Sequence, residues 1–126
     1  MNVNGTFFTP VPQGGLGGRP FLMRPATGAA AARVPETSWE DNWSGLDGWK
    51  RRLTVTGAGH PAFTDRPVLG DAAGYPYPET PLSGTRSQLI TRECVGAFFE
   101  LHLCGKQAPR LDSPTASAPE VRFHRG

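Results

Sequence analysis

Glycine and proline punctuate this chain so often that regular structure fits only into a few short windows. Sixteen glycines and thirteen prolines account for 29 of its 126 residues, just below the proportion at which disorder becomes the default reading. They concentrate in 10–18, in 70–84 and in the tail beyond Gln107, and Pro76, Pro78 and Pro81 forbid any long helix across the second of these segments. With 37% hydrophobic residues, the expectation is one modest domain with a partial core and long irregular connections. It would bury roughly two thirds of its unfolded surface if it closed on itself.

The remaining windows are read by pattern. Residues 1–9 read as the end of a strand followed by a turn at Asn4-Gly5. Arg19-Pro20-Phe21-Leu22-Met23 is a short apolar run, as expected of a parallel strand covered on both faces. Residues 25–36 are small, Ala-rich and unpatterned, a surface loop. Thr37-Ser38-Trp39-Glu40 fits a capping box, and Trp39, Trp43 and Leu46 fall on one face of a short helix that Gly48 closes. Trp49–Thr56 alternates as a half-covered strand, with Lys50-Arg51-Arg52 as its solvated edge. Thr64–Leu69 reads as a turn of helix capped by Asp65. A second capping box at Thr85-Arg86-Ser87-Gln88 opens the best helix, 86–104, whose stripe is Ile90, Cys94, Ala97, Phe98 and Leu101 and whose stop is Gly105. The tail, 107–126, reads as irregular, and no internal repeat is evident. Strand, strand, helix, strand, loop, helix is an α/β order, and its short links favour parallel strands.

In open α/β sheets, ligand sites lie beyond the carboxyl ends of strands. The stretch Gly57-Ala58-Gly59-His60-Pro61-Ala62-Phe63-Thr64-Asp65 sits at such an end, and so does Asn4. An imidazole with an ordinary pKa near 6.5 can take a proton and return it near neutrality, so His60 is a candidate general base, to be weighed against a turn histidine with no role. The three tryptophans read as packing residues, and Asp41 and Asp47 as surface charges, with a migrated catalytic acid as the less favoured reading of either. Phe99, off the stripe, would face a covering segment.

Several classes are set aside. A formal charge of +2 and scattered cations build no phosphate-tracking surface, so nucleic acid is not an expected partner. Cys94 and Cys104 lie ten residues apart on one expected helix, roughly 15 Å along its axis and beyond the ~7 Å reach of a disulfide; both are read as buried free thiols. Cys94, His102 and Cys104 do not have a known zinc spacing, so neither metal nor cofactor is expected. The N-terminal residues show no positive segment followed by an apolar core, hence no signal peptide, and no apolar run approaches the ~20 residues of a membrane span. Compartment stays undetermined.

Several motifs together resemble a known family. They are Asn2-Val3-Asn4-Gly5, Arg19-Pro20-Phe21-Leu22, Ser38-Trp39 with Trp43, Gly48-Trp49-Lys50-Arg51-Arg52-Leu53-Thr54-Val55 and Gly59-His60 with Phe63-Thr64-Asp65. The set is completed by Thr91-Arg92, Cys94-Val95, Ala97-Phe98-Phe99-Glu100, His102-Leu103 and the closing Pro119-Glu120-Val121. With them the chain resembles actinobacterial α/β-hydrolases related to platelet-activating factor acetylhydrolases and bacterial lipases. The resemblance covers nearly the whole chain.

It implies the C-terminal portion of an α/β-hydrolase fold over 1–106, about three parallel strands with flanking helices in an incomplete sheet. It also implies that His60 is the histidine of the catalytic triad, acting on acyl ester or lipid substrates in an intact parent. The chain departs from the family in two ways. The G-x-S-x-G elbow and oxyanion loop, which precede the acid and the histidine in chain order, have no counterpart here and would lie upstream of Met1. Asn4 stands where the family shows an aspartate that looks like the triad acid. The expectation is a hydrolase fragment inactive alone, with an open sheet edge completed by an N-terminal half or by a second copy. The alternative is a non-catalytic interaction module derived from a hydrolase.

Overall fold

The computed structural model describes residues 1–25, 37–78 and 80–124. Four strands form one sheet in the order β1-β2-β3-β4: β1 Asn2–Val3, β2 Phe21–Arg24, β3 Lys50–Val55 and β4 Val121–His124. The first three run parallel, with Asn2 opposite Met23 and Leu22 opposite Arg51. β4 returns antiparallel along β3, pairing Val55 with Val121 and Arg52 with His124. The expected irregular tail therefore contains a strand. It also contains a one-turn 3-10 helix, Pro109–Leu111, and it sends Ala108, Leu111, Ala118 and Val121 into the core.

Both faces of the sheet are covered. Successive strand residues point to opposite sides, so Leu22, Leu53 and Val55 meet the long helix α3 (Gly84–Cys104) through Ile90, Cys94, Ala97 and Phe98. Met23 points the other way, against Trp39 of α1 (Ser38–Trp43) and Leu46. The expected stripe of α3 is its buried face, and Phe99 stays exposed as its off-stripe position requires. Trp39 is a core residue, and Trp49 stacks on Phe98 of α3, in keeping with the packing role read for the tryptophans.

Helix α2 (Arg66–Ala72) lies tightly against α3. A Cβ at Gly84 would overlap the backbone of Pro67 and Val68, and the Gly84 N–H donates to Asp71 Oδ2 at 2.5 Å. α3 ends at Gly105 in the left-handed region (φ 66°), with N–H groups of Gly105 and Lys106 returning to the Glu100 carbonyl, a glycine stop of the expected kind.

Local expectations failed where a distant partner intervened. Thr37 has helical angles and makes no side-chain cap, and its box partner Glu40 pairs with Arg52 at 2.6 Å. α3 is capped by Ser83, whose Oγ accepts from Arg86 N at 3.3 Å, two residues before the expected Thr85. Lys50, Arg51 and Arg52 are half-buried on a strand paired on both sides, not a solvated edge. Lys50 Nζ donates to the carbonyls of Trp43 and Leu46, and Arg51 pairs with Asp112. Cys94 is buried as expected, but Cys104, at the helix end, is exposed. The surface loop read over 25–36 lies, from residue 26, outside the described residues.

Candidate active site

Gly57 leaves β3 with φ 78°, a turn that glycine makes without steric cost. Ala58 N–H then donates back to the Val55 carbonyl, and Ala62 N–H to Gly59. The result is a single 3-10 turn, His60–Phe63, with Pro61 in its first positions. Ala58 and Ala62, 1% and 2% exposed, sink into the main core on either side of an exposed His60. Thr64 closes the turn, its N–H and Oγ1 both donating to the Pro61 carbonyl at 2.9 and 2.7 Å. The two alanines thus anchor a turn that holds the imidazole out beyond the strand ends.

β1 ends at the same rim. The Asn2 amide brackets the following turn, accepting from Gly5 N and donating to Gly5 O, both at 2.7 Å. Asn4 adopts φ 59°, a left-handed conformation that asparagine tolerates better than most residues. Its N–H donates to the Arg24 carbonyl at 3.0 Å. Its side-chain Nδ2 hydrogen-bonds His60 Nδ1 across 56 residues of sequence. The structure therefore joins the two residues that the sequence placed separately at strand ends.

The polarity of that contact decides its chemistry. An amide N–H donating to Nδ1 leaves the ring proton on Nε2, so Nε2 cannot accept a proton from a nucleophile in that tautomer. A carboxylate in the same place would accept from Nδ1–H and leave Nε2 free as the base.

Among the described residues, no acid hydrogen-bonds or ion-pairs with His60. Asp47 precedes β3 at its amino end, and its carboxylate accepts from Leu16 N and Gly18 N at 2.7 Å each. Those two amides, Leu16 first, hold its carboxyl below the usual range, and its task is to pin the loop before β2. Asp65 occupies the N-cap position of α2 through its backbone, with Leu69 N–H donating to its carbonyl and no side-chain cap. Among the described residues, no serine, threonine or cysteine hydrogen-bonds His60, and no cluster of metal-ligating side chains is found. His102 is held by the edges of Trp49 and Phe98, with ring centroids 4.7 and 4.8 Å away. A cavity of about 740 Å³ lies along the free side of β4 among Trp43, Lys50, Phe123 and His124, away from the His60 turn. No described helix is long and apolar enough to cross a membrane.

One residue beside the site escaped the sequence reading. Arg24, the last residue of β2, is 1% exposed, and its guanidinium stacks 5.3 Å from the Phe63 ring beneath the histidine turn. Its only sequence signal was a cation directly after an apolar strand.

No family model matches the chain. It is 29% identical over 141 residues to a probable 1-alkyl-2-acetylglycerophosphocholine esterase of Arthroderma benhamiae, covering 98% of this chain and 36% of that protein. Among solved structures it is similar to a ferulic acid esterase from Streptomyces cinnamoneus. The TM-score is 0.83 at 39% identity, over 98% of this chain and 38% of that one. The chain thus spans little more than a third of the length of either relative. Its similarity is to esterases, and its mostly parallel four-stranded sheet with covering helices is a partial α/β-hydrolase-like fold.

Proposed function

We propose that this chain supplies the proton-shuttling part of a serine ester hydrolase, with His60 as general base and then general acid. Nucleophile and oxyanion donors come from residues outside these 126, and the chain alone is inactive. The supporting observation is the hydrogen bond between Asn4 and His60 at the carboxyl rim, the juxtaposition a triad requires. In the assembled site His60, in the tautomer with its proton on Nδ1, removes the serine proton through Nε2 as Oγ attacks the acyl carbonyl. It then protonates the departing alkoxide, and the same pair of transfers with water releases the acid. The relatives' names, a glycerophosphocholine acetyl ester and a ferulic acid ester, support a carboxylic ester as substrate.

One observation favours a second reading. With an amide in place of the acid, an N–H donated to Nδ1 favours the unproductive tautomer, which suits a hydrolase-derived interaction module that no longer turns over. A p-nitrophenyl ester assay separates the two. The 126-residue chain is measured alone and joined to the nucleophile-bearing segment of the Streptomyces esterase. Hydrolysis only by the joined protein, abolished by His60→Ala, supports the catalytic reading. Hydrolysis by the chain alone, or activity in the joined protein that survives His60→Ala, overturns it.

A further inference from the structure

Arg24 lies one strand in from the outermost parallel strand, β1, and alternation along β2 puts its side chain on the α3 face with Leu22. Its Nε and Nη1 are buried and hydrogen-bonded to nothing, although an orphaned buried donor is costly and a buried unpaired charge more so. Burial pulls its pKa down, with the nearby Cys94 the lesser, opposing influence. A stacked Phe63 ring attracts the cation but takes no N–H bond from Nε or Nη1.

Seven acids among the described residues are engaged elsewhere. Glu40 binds Arg52, Glu93 binds Arg110, Glu100 binds Lys106, Asp112 binds Arg51 and Glu120 binds Arg86. Asp47 and Asp71 accept from backbone amides. The guanidinium is also closed to solvent, so a free anion is a poor fit. A carboxylate side chain delivered by a packed segment fits better.

We infer that Arg24 is the seat of an aspartate or glutamate carried by the segment that bears the nucleophile, an ion pair formed beneath the His60 turn when the sheet is completed beyond β1. This rests on the proposed function, since it takes the completing segment to be the nucleophile's own. The position gives the pair a consequence. Arg24 holds Phe63 of the His60 turn by its side chain and Asn4 by its carbonyl, so the incoming carboxylate would settle the turn that carries His60 and the backbone of Asn4 at once. Arg24 is a positioning residue.

The test compares wild type with Arg24→Met, by urea unfolding, in the chain alone and in the protein joined to the Streptomyces segment. In the chain alone, replacing the orphaned cation by an apolar side chain of similar length should raise the folding equilibrium constant about tenfold. In the joined protein the same change should lower it about tenfold or more, because it strands the arriving carboxylate. A change of the same sign in both contexts overturns the inference. Should the variant not fold, exchange of the Arg24 Nε–H, followed by NMR in the unsubstituted proteins, gives the answer. Protection at least tenfold greater in the joined protein supports the pair, and equal protection refutes it. His60-dependent hydrolysis in the joined protein reports separately on the function, so the two readings fail distinguishably.

Discussion

Replacing Asn4 by aspartate is the most incisive perturbation of the rim. The left-handed backbone at Asn4 is open to aspartate as it is to asparagine, and the two side chains share a shape. The substitution therefore exchanges an N–H donor for a carboxylate oxygen at the atom that touches His60 Nδ1. Two effects follow. The ring proton moves to Nδ1, freeing Nε2 to act as base, and the imidazolium formed in the transition state gains a counter-charge. The second effect alone, for unit charges about 4 Å apart, is worth ~1 kcal/mol in water and ~4 kcal/mol at an effective dielectric near 20. That is about fivefold to about 10³-fold in rate. The pair is solvent-exposed, which favours the lower end, while the tautomer effect pushes upward. In trypsin-type enzymes the reverse change costs about 10⁴ in turnover, which sets the ceiling. Asn4→Asp in the joined protein should accordingly raise kcat for a p-nitrophenyl ester between about fivefold and 10⁴-fold. In the 126-residue chain, ¹⁵N shifts of His60 should move from an Nε2–H to an Nδ1–H pattern. An unchanged tautomer with unchanged kcat would show that Asn4 does not stand in the acid's place.

Two further outcomes concern stability. Burial, with the charge of Arg52 as a lesser cause, holds the pKa of His124 below its ordinary 6.5, so the unfolded chain binds more protons than the folded one below neutrality. Stability is then complete above pH ~6.5 and declines as the pH falls through that value towards the folded pKa. The loss should be under ~1 kcal/mol given the solvent exposure of the ring, and His124→Gln should flatten that part of a Tm-against-pH curve. Gly84→Ala places a methyl group against the Pro67–Val68 backbone where α2 meets α3. Overpacking of that kind costs about 1–3 kcal/mol, to be seen as a lower urea midpoint with an unchanged slope; no shift would mean that α2 yields freely.

What the sequence made legible follows from how far each residue's partner lies along the chain. The stripe of α3 was readable because its period is internal to twenty-one residues, and the His60 turn because Gly57, Gly59 and Pro61 direct the backbone locally. Asn4 and His60 are remote in sequence, yet their meeting was foreseeable: parallel strands put all carboxyl ends on one rim, and β2 alone separates theirs. The strand β4 was hidden because four residues, Val121–His124, carry too little alternation to register. They are a strand only because Leu53 and Val55 present a ladder more than sixty residues earlier. The same reasoning explains the misread cations of β3. On pattern, Lys50-Arg51-Arg52 is a solvated edge, but each charge is met from another element: carbonyls after α1, Asp112 and Glu40. Their stems are thereby drawn into half-buried positions. Arg24 is the instructive contrast, since it is more deeply buried on the neighbouring strand and its Nε and Nη1 have no hydrogen-bond partner. A buried strand cation with unpaired donors, beside a strand whose cations are each met, is the contrast that the proposed ion pair accounts for.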